Sequence, residues 1–93
     1  MAKSVVQNEK KCLICTTSYN LHEHHIFFGT ANRRMSEKRG MKVWLCENHH
    51  TGPSGVHFNK ELDNMLKRLG QRVYEKKVGS RQQFIEDFGR NYL

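Results

Sequence analysis

The pattern of apolar residues along this chain predicts two short strands followed by two helices. The first apolar segment lies within residues 17–31 and is ended by Gly29, and the second is Lys-Val-Trp-Leu-Cys at residues 42–46. Short apolar runs rich in β-branched and aromatic residues are typical of strands. We therefore expect a β-hairpin, in which residues 30–40 form a polar loop, and one helical turn from Ser36 is left open.

Helical periodicity begins after a Gly- and Pro-containing loop at residues 47–55. Apolar residues then recur three or four positions apart, at Phe58, Leu62, Met65, Leu66, Leu69 and Val73. This spacing predicts one long helix, with Ser54 as its N-cap and Gly79 at its end. Ser80 begins a capping-box pattern, Ser-Arg-Gln-Gln, which predicts a short C-terminal helix. The expected fold class is α+β.

The chain is short and basic. Its 93 residues are enough for one domain, which we place at residues 11–93 after a flexible polar lead-in at residues 1–10. Sixteen Lys and Arg against nine Asp and Glu give a formal charge of +7. That charge favours a polyanionic partner such as nucleic acid, although a basic solvated surface without a partner is an equal alternative on charge alone.

No apolar run is long enough to cross a membrane or to form the core of a signal peptide. We therefore expect a cytoplasmic protein without a membrane partner. Thiols in the cytoplasm stay reduced, and the cysteines are three in number. Reduced thiols that are odd in number argue against a disulfide framework.

Three cysteines and one histidine form two pairs with the same spacing. Two residues separate Cys12 from Cys15, and two residues separate Cys46 from His49. This gap allows both side chains of a pair to reach one tetrahedral ion, and four protein ligands are typical of structural zinc. The spacing predicts a Cys3His zinc knuckle, with His50 open as the alternative fourth ligand. Three free cysteines and a surface histidine are the competing interpretation.

The other histidines are concentrated in the same part of the chain. All six histidines lie within residues 22–57, and His24 and His25 are adjacent in the first strand segment. Adjacent residues of a strand point to opposite faces, so we expect one of the two to bind a metal and the other to act from a different side. His50 and His57 could approach this strand, and three protein ligands with open positions suit metal-assisted hydrolysis. Unrelated polar or capping histidines are the alternative.

The order of these motifs resembles HNH endonucleases, the ββα-metal (His-Me finger) nucleases. The likeness is carried by Cys-x-x-Cys at residues 12–15, by His24-His25-Ile26, and by Val-Trp-Leu-Cys-x-x-His-His at residues 43–50, which a basic helix follows. Small phage and prophage HNH proteins with an added zinc knuckle are the most similar variety. The likeness extends from Cys12 into the early part of the long helix, and it implies a small ββα-metal fold.

This resemblance implies roles for four histidines. The family's general base is the histidine just before the apolar residue of the first strand, which corresponds to His25, and the preceding metal ligand corresponds to His24. His50 and His57 correspond to the positions that complete the catalytic metal site, and His22 is given no role. The implied activity is hydrolysis of phosphodiester bonds, usually in DNA, with one divalent ion such as Mg²⁺, Mn²⁺, Ni²⁺ or Zn²⁺.

Two features depart from the family pattern. The namesake asparagine usually lies just ahead of the second strand, where Met41 and Lys42 stand, and Asn32 or Asn48 would have to replace it. The last two histidines are also separated by seven positions, whereas many relatives place them one helical turn apart. A catalytically inactive zinc-knuckle module that binds nucleic acid is therefore the alternative function.

Basic side chains lie between the two predicted strands, in the loop that flanks His25. They are Arg33, Arg34, Lys38 and Arg39. We expect them to hold phosphates near the scissile bond, and thus to set the position of the nucleic acid more than its sequence. The oligomeric state is left open by the sequence.

Overall fold

Two strands and four helices make up the computed structural model of the protein, which describes residues 3–93. They are β1 (Leu21–His25), α1 (Thr30–Arg39), β2 (Lys42–Cys46), α2 (Glu47–His50), α3 (Lys60–Lys77) and α4 (Arg81–Phe88). The architecture is α+β, as predicted, with one two-stranded antiparallel sheet. Within residues 3–93, no helix has both the length and the apolar character needed to cross a membrane.

The sheet pairs β1 with β2 so that Leu21 lies opposite Cys46 and His25 lies opposite Lys42. β2 spans the predicted residues, whereas β1 ends at His25, before the apolar run of its segment. Ile26 and Phe27 leave the strand because both side chains turn into the core, where neither is exposed to solvent. Side chains alternate along a strand, so His22 and His24 share one face of β1 and His25 belongs to the other.

The ten-residue helix α1 lies where the sequence predicted a polar loop. It ends at Gly40, which adopts the left-handed conformation (φ 72°) that favours glycine at a helix C-terminus. Its one fully buried side chain is Ser36, whose Oγ donates to the carbonyl of Phe27 at 2.8 Å and accepts the N–H of Phe27 at 3.2 Å. The loop prediction was wrong because α1 has no continuous apolar stripe: besides Met35, polar contacts such as these hydrogen bonds attach it to the core.

The long helix α3 begins later than predicted. Its N-cap is Asn59, whose Oδ1 accepts the N–H of Leu62 at 3.1 Å, so the assignment of Ser54 as the N-cap is wrong. Phe58, predicted on the buried face, precedes the helix and is 72% exposed. The helix ends at Lys77, close to the predicted stop.

The C-terminal helix α4 starts at the predicted capping box. Ser80 accepts the N–H of Gln83, and the Gln83 side chain accepts the N–H of Ser80. Phe84 and Phe88 are buried, with their rings 5.2 Å and 4.4 Å from the ring of Phe27. This aromatic cluster holds the end of β1 against α4, and it fixes the direction in which the chain leaves the histidines of β1.

Residues 4–7 of the predicted lead-in lie along the edge of β2 that faces away from β1. The Oγ of Ser4 donates to the carbonyl of Lys42 at 2.5 Å. The Oε1 of Gln7 accepts the N–H of Trp44 at 2.8 Å. These contacts cover backbone groups that an open sheet edge would otherwise leave unpaired.

Candidate functional site

The three cysteines and His49 form one group, whose ligand atoms all lie within 4.8 Å of one another. The Sγ atoms of Cys15 and Cys46 are 3.7 Å apart. His49 Nδ1 lies 3.2 Å from the Sγ of Cys46 and 3.7 Å from the Sγ of Cys12. The usual bond lengths of tetrahedral zinc predict sulfur–sulfur edges of about 3.8 Å and sulfur–nitrogen edges of about 3.6 Å. The Cys3His group is therefore compatible with a zinc site.

A tight turn prepares Cys12 to bind a cation. The N–H of Cys12 donates to the carbonyl of Thr17 at 2.8 Å, and the N–H of Leu13 joins the turn to β2. Burial acts to raise the pKa of the Cys12 thiol. Hydrogen bonds from backbone groups, including those of Cys15 and Cys46, outweigh the effect of burial and lower the pKa to about 6. The thiolate is the form that binds metal, so this environment suits a ligand.

His49 and His50 are adjacent, but they contribute to different groups. Consecutive residues of a helix point in directions about 100° apart, and both residues lie in the short helix α2. His49 faces the sulfur atoms of the knuckle, and His50 joins the second histidine group. Of the two alternatives for the fourth ligand, the structure therefore has His49.

His24, His50 and His57 form this second group, and their ligand atoms also lie within 4.8 Å of one another. His24 comes from β1 and is 2% exposed, His50 ends α2, and His57 precedes α3. The Nε2 atoms of His50 and His57 are 3.1 Å apart. Two nitrogens bound to one ion at the usual length would be separated by about 2.9–3.4 Å, so this pair is spaced to share a cation.

A loop that folds back on α2 brings His57 to His50 across seven positions of sequence. The N–H of Val56 donates to the carbonyl of His49 at 2.8 Å, and the Val56 side chain is buried. Gly55 packs so closely that a Cβ there would lie 2.8 Å from the backbone carbonyl of His50. The loop thus requires glycine at this position, and it joins two histidines that are further apart in sequence than one helical turn.

Two members of the histidine group, His24 and His50, have pKa values that favour the neutral form. Burial, followed by the charges of His50 and His57, lowers the pKa of His24 to about 3. Burial and the charges of His57 and His22 lower the pKa of His50 to about 4. The Nε2 of His24 is buried and has no hydrogen-bond partner among residues 3–93. Neutral imidazole is the form that binds a metal, so the donor set fits a divalent cation that this unpaired nitrogen would help to hold.

His25 lies against a carboxylate on the other side of β1. Its Nε2 is 3.0 Å from the Oε1 of Glu37 in α1, and the Oε2 of Glu37 accepts the ammonium of Lys42 at 2.8 Å. The hydrogen bond from Lys42, and then the one from His25, lowers the pKa of Glu37 to about 2. Glu37 is therefore ionised at neutral pH. Because an ionised carboxylate can only accept a hydrogen bond, the Nε2 of His25 is the donor in this contact, and in a neutral imidazole this leaves the lone pair on Nδ1.

Glu23, His25 and Glu37 also lie within metal-binding distance of one another. The ammonium of Lys42, which is 4% exposed, already lies 3.4 Å from Glu23 and 2.8 Å from Glu37. Burial acts to lower the pKa of Lys42, but its two carboxylate neighbours outweigh burial and raise it. Lys42 thus supplies the positive charge that these carboxylates need, and we interpret the group as an ion-pair network.

Both histidine arrangements open onto one cavity of about 870 Å³. Its lining includes the histidine group, His25, Glu37, Phe28, Arg33 and Arg34. Of the four basic residues predicted to hold phosphates, Lys38 is exposed outside this lining. Arg39 instead donates to the Oδ2 of Asp87 at 2.9 Å, and so attaches α1 to α4. The structure therefore brings Arg33 and Arg34 to the histidines and leaves the other two elsewhere.

No asparagine lines this cavity within residues 3–93. Asn48 lies in a separate surface depression beside Tyr19 and Thr51. Asn32, although in α1, is also outside the lining. Neither candidate for the family asparagine therefore stands where it could contact a group bound between the histidines.

Sequence reasoning missed Glu37 and His22. Glu37 lies in the segment predicted as a loop, although Lys38 and Arg39 followed by Gly40 form a helix-stop pattern that could have revealed α1. His22 Nδ1 is 2.9 Å from His50 Nδ1. His22 could have been found from its position two residues before His24, because residues two apart in a strand lie on the same face.

Comparison with protein-family models, with curated proteins and with solved structures found no match for this chain.

Proposed function

We propose that this protein is a metal-dependent endonuclease of the HNH (ββα-metal) type that hydrolyses phosphodiester bonds in DNA. One observation carries the proposal: His25, backed by Glu37, opens onto the same cavity as the group His24, His50 and His57. A general base beside a site for a divalent cation is the combination that metal-assisted phosphodiester hydrolysis requires.

The arrangement of the chain supports the same type of nuclease. Two antiparallel strands are followed by the short helix α2, and the histidines come from β1, from α2 and from the loop after α2. In the proposal, the Cys3His group holds a structural zinc ion that ties the N-terminal turn to the end of β2. A closed site with four protein ligands stabilises a fold and leaves no position for a substrate.

His25 acts as the general base. Its Nε2–H is donated to Glu37, so Nδ1 takes a proton from the water that attacks the phosphorus atom. The ionised carboxylate of Glu37 stabilises the imidazolium that results, as a carboxylate behind a histidine does in other hydrolases. Lys42 keeps Glu37 ionised, and the proton leaves His25 for solvent after the phosphodiester bond is broken.

His24, His50 and His57 would hold the cation. A divalent ion there would supply positive charge opposite the negative charge that develops on the phosphate and on the leaving oxygen. Burial fixes the His24 ring, and the folded-back loop fixes His57, so the donors need little rearrangement on binding. Three imidazoles favour Zn²⁺ or Ni²⁺ over Mg²⁺, which prefers oxygen ligands.

Arg33 and Arg34 would position the DNA. Both lie on α1 at the cavity, where guanidinium groups can form paired hydrogen bonds with phosphate oxygens. The formal charge of +7 adds a general attraction for a polyanion. Contacts of this kind carry little sequence information, so the proposed cleavage is weakly specific.

Cleavage of plasmid DNA tests the proposal, and variants of the adjacent residues His24 and His25 separate metal binding from general-base catalysis. Purified protein is incubated with supercoiled plasmid and Mg²⁺, Mn²⁺, Ni²⁺ or Zn²⁺, beside the variants His24→Ala and His25→Ala. We expect His24→Ala to lose both uptake of the second metal and cleavage. We expect His25→Ala to bind metal normally and to cleave about 10²–10⁴-fold more slowly, the usual contribution of a general base. Intact plasmid with the wild-type protein and every metal would contradict the proposal.

A second candidate is a zinc-knuckle module that binds nucleic acid and performs no chemistry. The absence of asparagine from the cavity lining, within residues 3–93, favours it. This candidate predicts DNA binding that falls with salt and is lost in Cys12→Ser, with no cleavage in any metal. The plasmid experiment therefore separates the two functions.

A further inference from the structure

His22 is the histidine to which neither the sequence nor the proposed chemistry gives a role. It lies opposite Leu45 in the sheet, on the same face of β1 as the metal-group residue His24. Its ring meets the ring of His50 edge to face, with centroids 5.0 Å apart and planes at 84°. The two Nδ1 atoms are 2.9 Å apart, which is the length of an N–H···N hydrogen bond.

The two contacts of His50 compete for one proton. A neutral imidazole carries a single ring N–H, but Nδ1 of His50 faces His22 at 2.9 Å and Nε2 faces His57 at 3.1 Å. Nε2 can bind a cation only when it has a lone pair. The proton must then be on Nδ1, and His22 is the group placed to accept it.

We propose that His22 is a positioning residue, which accepts the Nδ1–H of His50 and so directs the Nε2 lone pair of His50 at the cation. The inference rests on the metal group of the proposed function. In this arrangement, Nδ1 of His22 is the unprotonated nitrogen and its Nε2 carries the hydrogen. Each ring thus has one defined tautomer before the cation arrives.

His50 is the member of the group that depends on such a partner. The side chains of His24 and His57 have no hydrogen-bond partner outside the group among residues 3–93, whereas His50 has His22. Metal-binding histidines usually donate their second ring N–H to an acceptor, and loss of that acceptor typically costs about 10–100-fold in affinity or activity. A neutral imidazole is an unusual acceptor for this purpose, where carboxylates and carbonyls are common.

Binding of Co²⁺ tests the inference without reference to cleavage. The full chain is first loaded with one equivalent of zinc and then titrated with Co²⁺, followed by calorimetry and by the visible absorption of the cobalt. Absorption from cobalt–thiolate bonds would report displacement at the cysteines, so its absence assigns the binding to histidines. The variants are His22→Ala, which removes the acceptor, and His22→Asn, whose Oδ1 can occupy the place of Nδ1.

We expect His22→Ala to bind Co²⁺ about 10–100-fold more weakly than wild type, and His22→Asn to recover most of the loss. Zinc content and melting temperature before cobalt is added should be the same in all three proteins. If His22→Ala binds Co²⁺ as tightly as wild type, the role of His22 is overturned but the metal group is not. The same holds if His22→Asn binds Co²⁺ as weakly as His22→Ala. A wild-type protein that takes up no cobalt would overturn the metal group itself. If Co²⁺ binding shows the expected variant effects but the protein does not cleave plasmid, only the proposed nuclease activity is contradicted.

The tautomer of His50 provides a second measurement if His22→Ala does not fold. Long-range ¹H–¹⁵N spectra of the wild-type protein, with zinc in the Cys3His group only, distinguish a protonated ring nitrogen from an unprotonated one before the second cation binds. We expect the proton of His50 on Nδ1. A proton on Nε2 would overturn the inference.

Discussion

Glu37 and His25 are joined across 12 positions of sequence by a 3.0 Å contact between the Oε1 of Glu37 and the Nε2 of His25. Glu37 comes from α1 and His25 ends β1, so the contact depends on how the helix packs against the strand. Ser36, the neighbour of Glu37, makes that packing by bonding both backbone groups of Phe27. Of these two neighbouring helix residues, Ser36 thus attaches α1 to the end of β1 and Glu37 contacts the proposed base.

The first prediction concerns this carboxylate. Glu37→Gln retains an oxygen that can accept from His25 but loses the charge that stabilises imidazolium. We expect plasmid cleavage to slow at least about tenfold, and by less than the roughly 10²–10⁴-fold contribution of the base itself. Initial rates at saturating metal, with metal affinity measured separately, check this.

The matched control is Glu23→Gln. Glu23 contacts the same ammonium of Lys42 at 3.4 Å but has no hydrogen bond with His25 among residues 3–93. Glu23 also lines the cavity, so its loss should change the cleavage rate, but by less than the loss of Glu37 does. Equal rates for Glu37→Gln and wild type would show that Glu37 does not orient the base.

The second prediction follows from the pKa of Glu37. In the folded protein, the hydrogen bonds from Lys42 and then from His25 lower this pKa from 4.5 to about 2. Above pH 4.5 the carboxylate is ionised in both the folded and unfolded chains, so its contribution to stability is complete. As the pH falls from there towards 2, the unfolded chain takes up a proton that the folded chain does not, and stability is lost.

Urea unfolding at several pH values measures this effect. We expect the wild-type free energy of unfolding to decrease more steeply below pH 4.5 than that of Glu37→Gln. Protonation of the cysteines and other histidines acts on both proteins, so the difference between them reports Glu37. A difference that stays constant between neutral pH and pH 3 would contradict the lowered pKa.

The elements that could be predicted from the sequence are those with local signals. β2 is a short apolar run, and α4 has a capping box at Ser80 that involves only the four residues to Gln83. α1 could not be predicted in this way, because its attachment depends on hydrogen bonds between Ser36 and Phe27. The start of α3 was misplaced because residues that continue its apolar spacing, such as Phe58, lie in the loop that carries His57.

The same distinction applies to the site. The spacing of Cys12 with Cys15, and of Cys46 with His49, predicts a metal group because both gaps are short and regular. The partners of His25 and His50 are determined by contacts across 12 and 28 positions, respectively. Contacts between residues so far apart in sequence follow no regular spacing that a motif could reveal. The resemblance to HNH nucleases therefore implied roles for individual histidines, but it did not identify the side chains that contact and orient them.

The third prediction concerns removal of the knuckle metal. Cys12→Ser should lose one equivalent of zinc and unfold more readily, because the binding energy of a structural metal is also folding energy. In a domain of this size, 1 kcal/mol of stability corresponds to about 4–8 °C in Tm. A loss of about 3 kcal/mol would therefore lower Tm by roughly 12–24 °C.

Ile14→Ser is the control for this variant, because Ile14 lies in the same turn, is 38% exposed and offers no ligand. It should retain zinc and melt close to the wild-type temperature. Zinc content by elemental analysis and thermal unfolding by circular dichroism give both readouts. If Cys12→Ser melts like wild type, the group does not hold a structural metal.

The fourth prediction concerns the arginines of α1. Each phosphate contact contributes about 0.9 to the slope of log K against log salt for duplex DNA. Loss of Arg33 and Arg34 together should therefore reduce this slope by about 1.8 if each contacts one phosphate. The double variant Arg33→Gln/Arg34→Gln should also bind all duplex sequences more weakly, because phosphate contacts are independent of sequence. Fluorescence anisotropy at several salt concentrations measures both effects.

Lys76→Gln serves as the control for charge. Lys76 is an exposed residue in the last turn of α3. The cavity residue Phe28 has the ammonium of Lys67 over its ring. Lys76 is nine positions beyond Lys67 in the same helix, which corresponds to about 13 Å along the helix axis. Its loss should leave the slope nearly unchanged. If Lys76→Gln lowers the slope as much per charge as the arginine variant does, the DNA is held by the general positive charge of the protein, and the cavity is not its binding site.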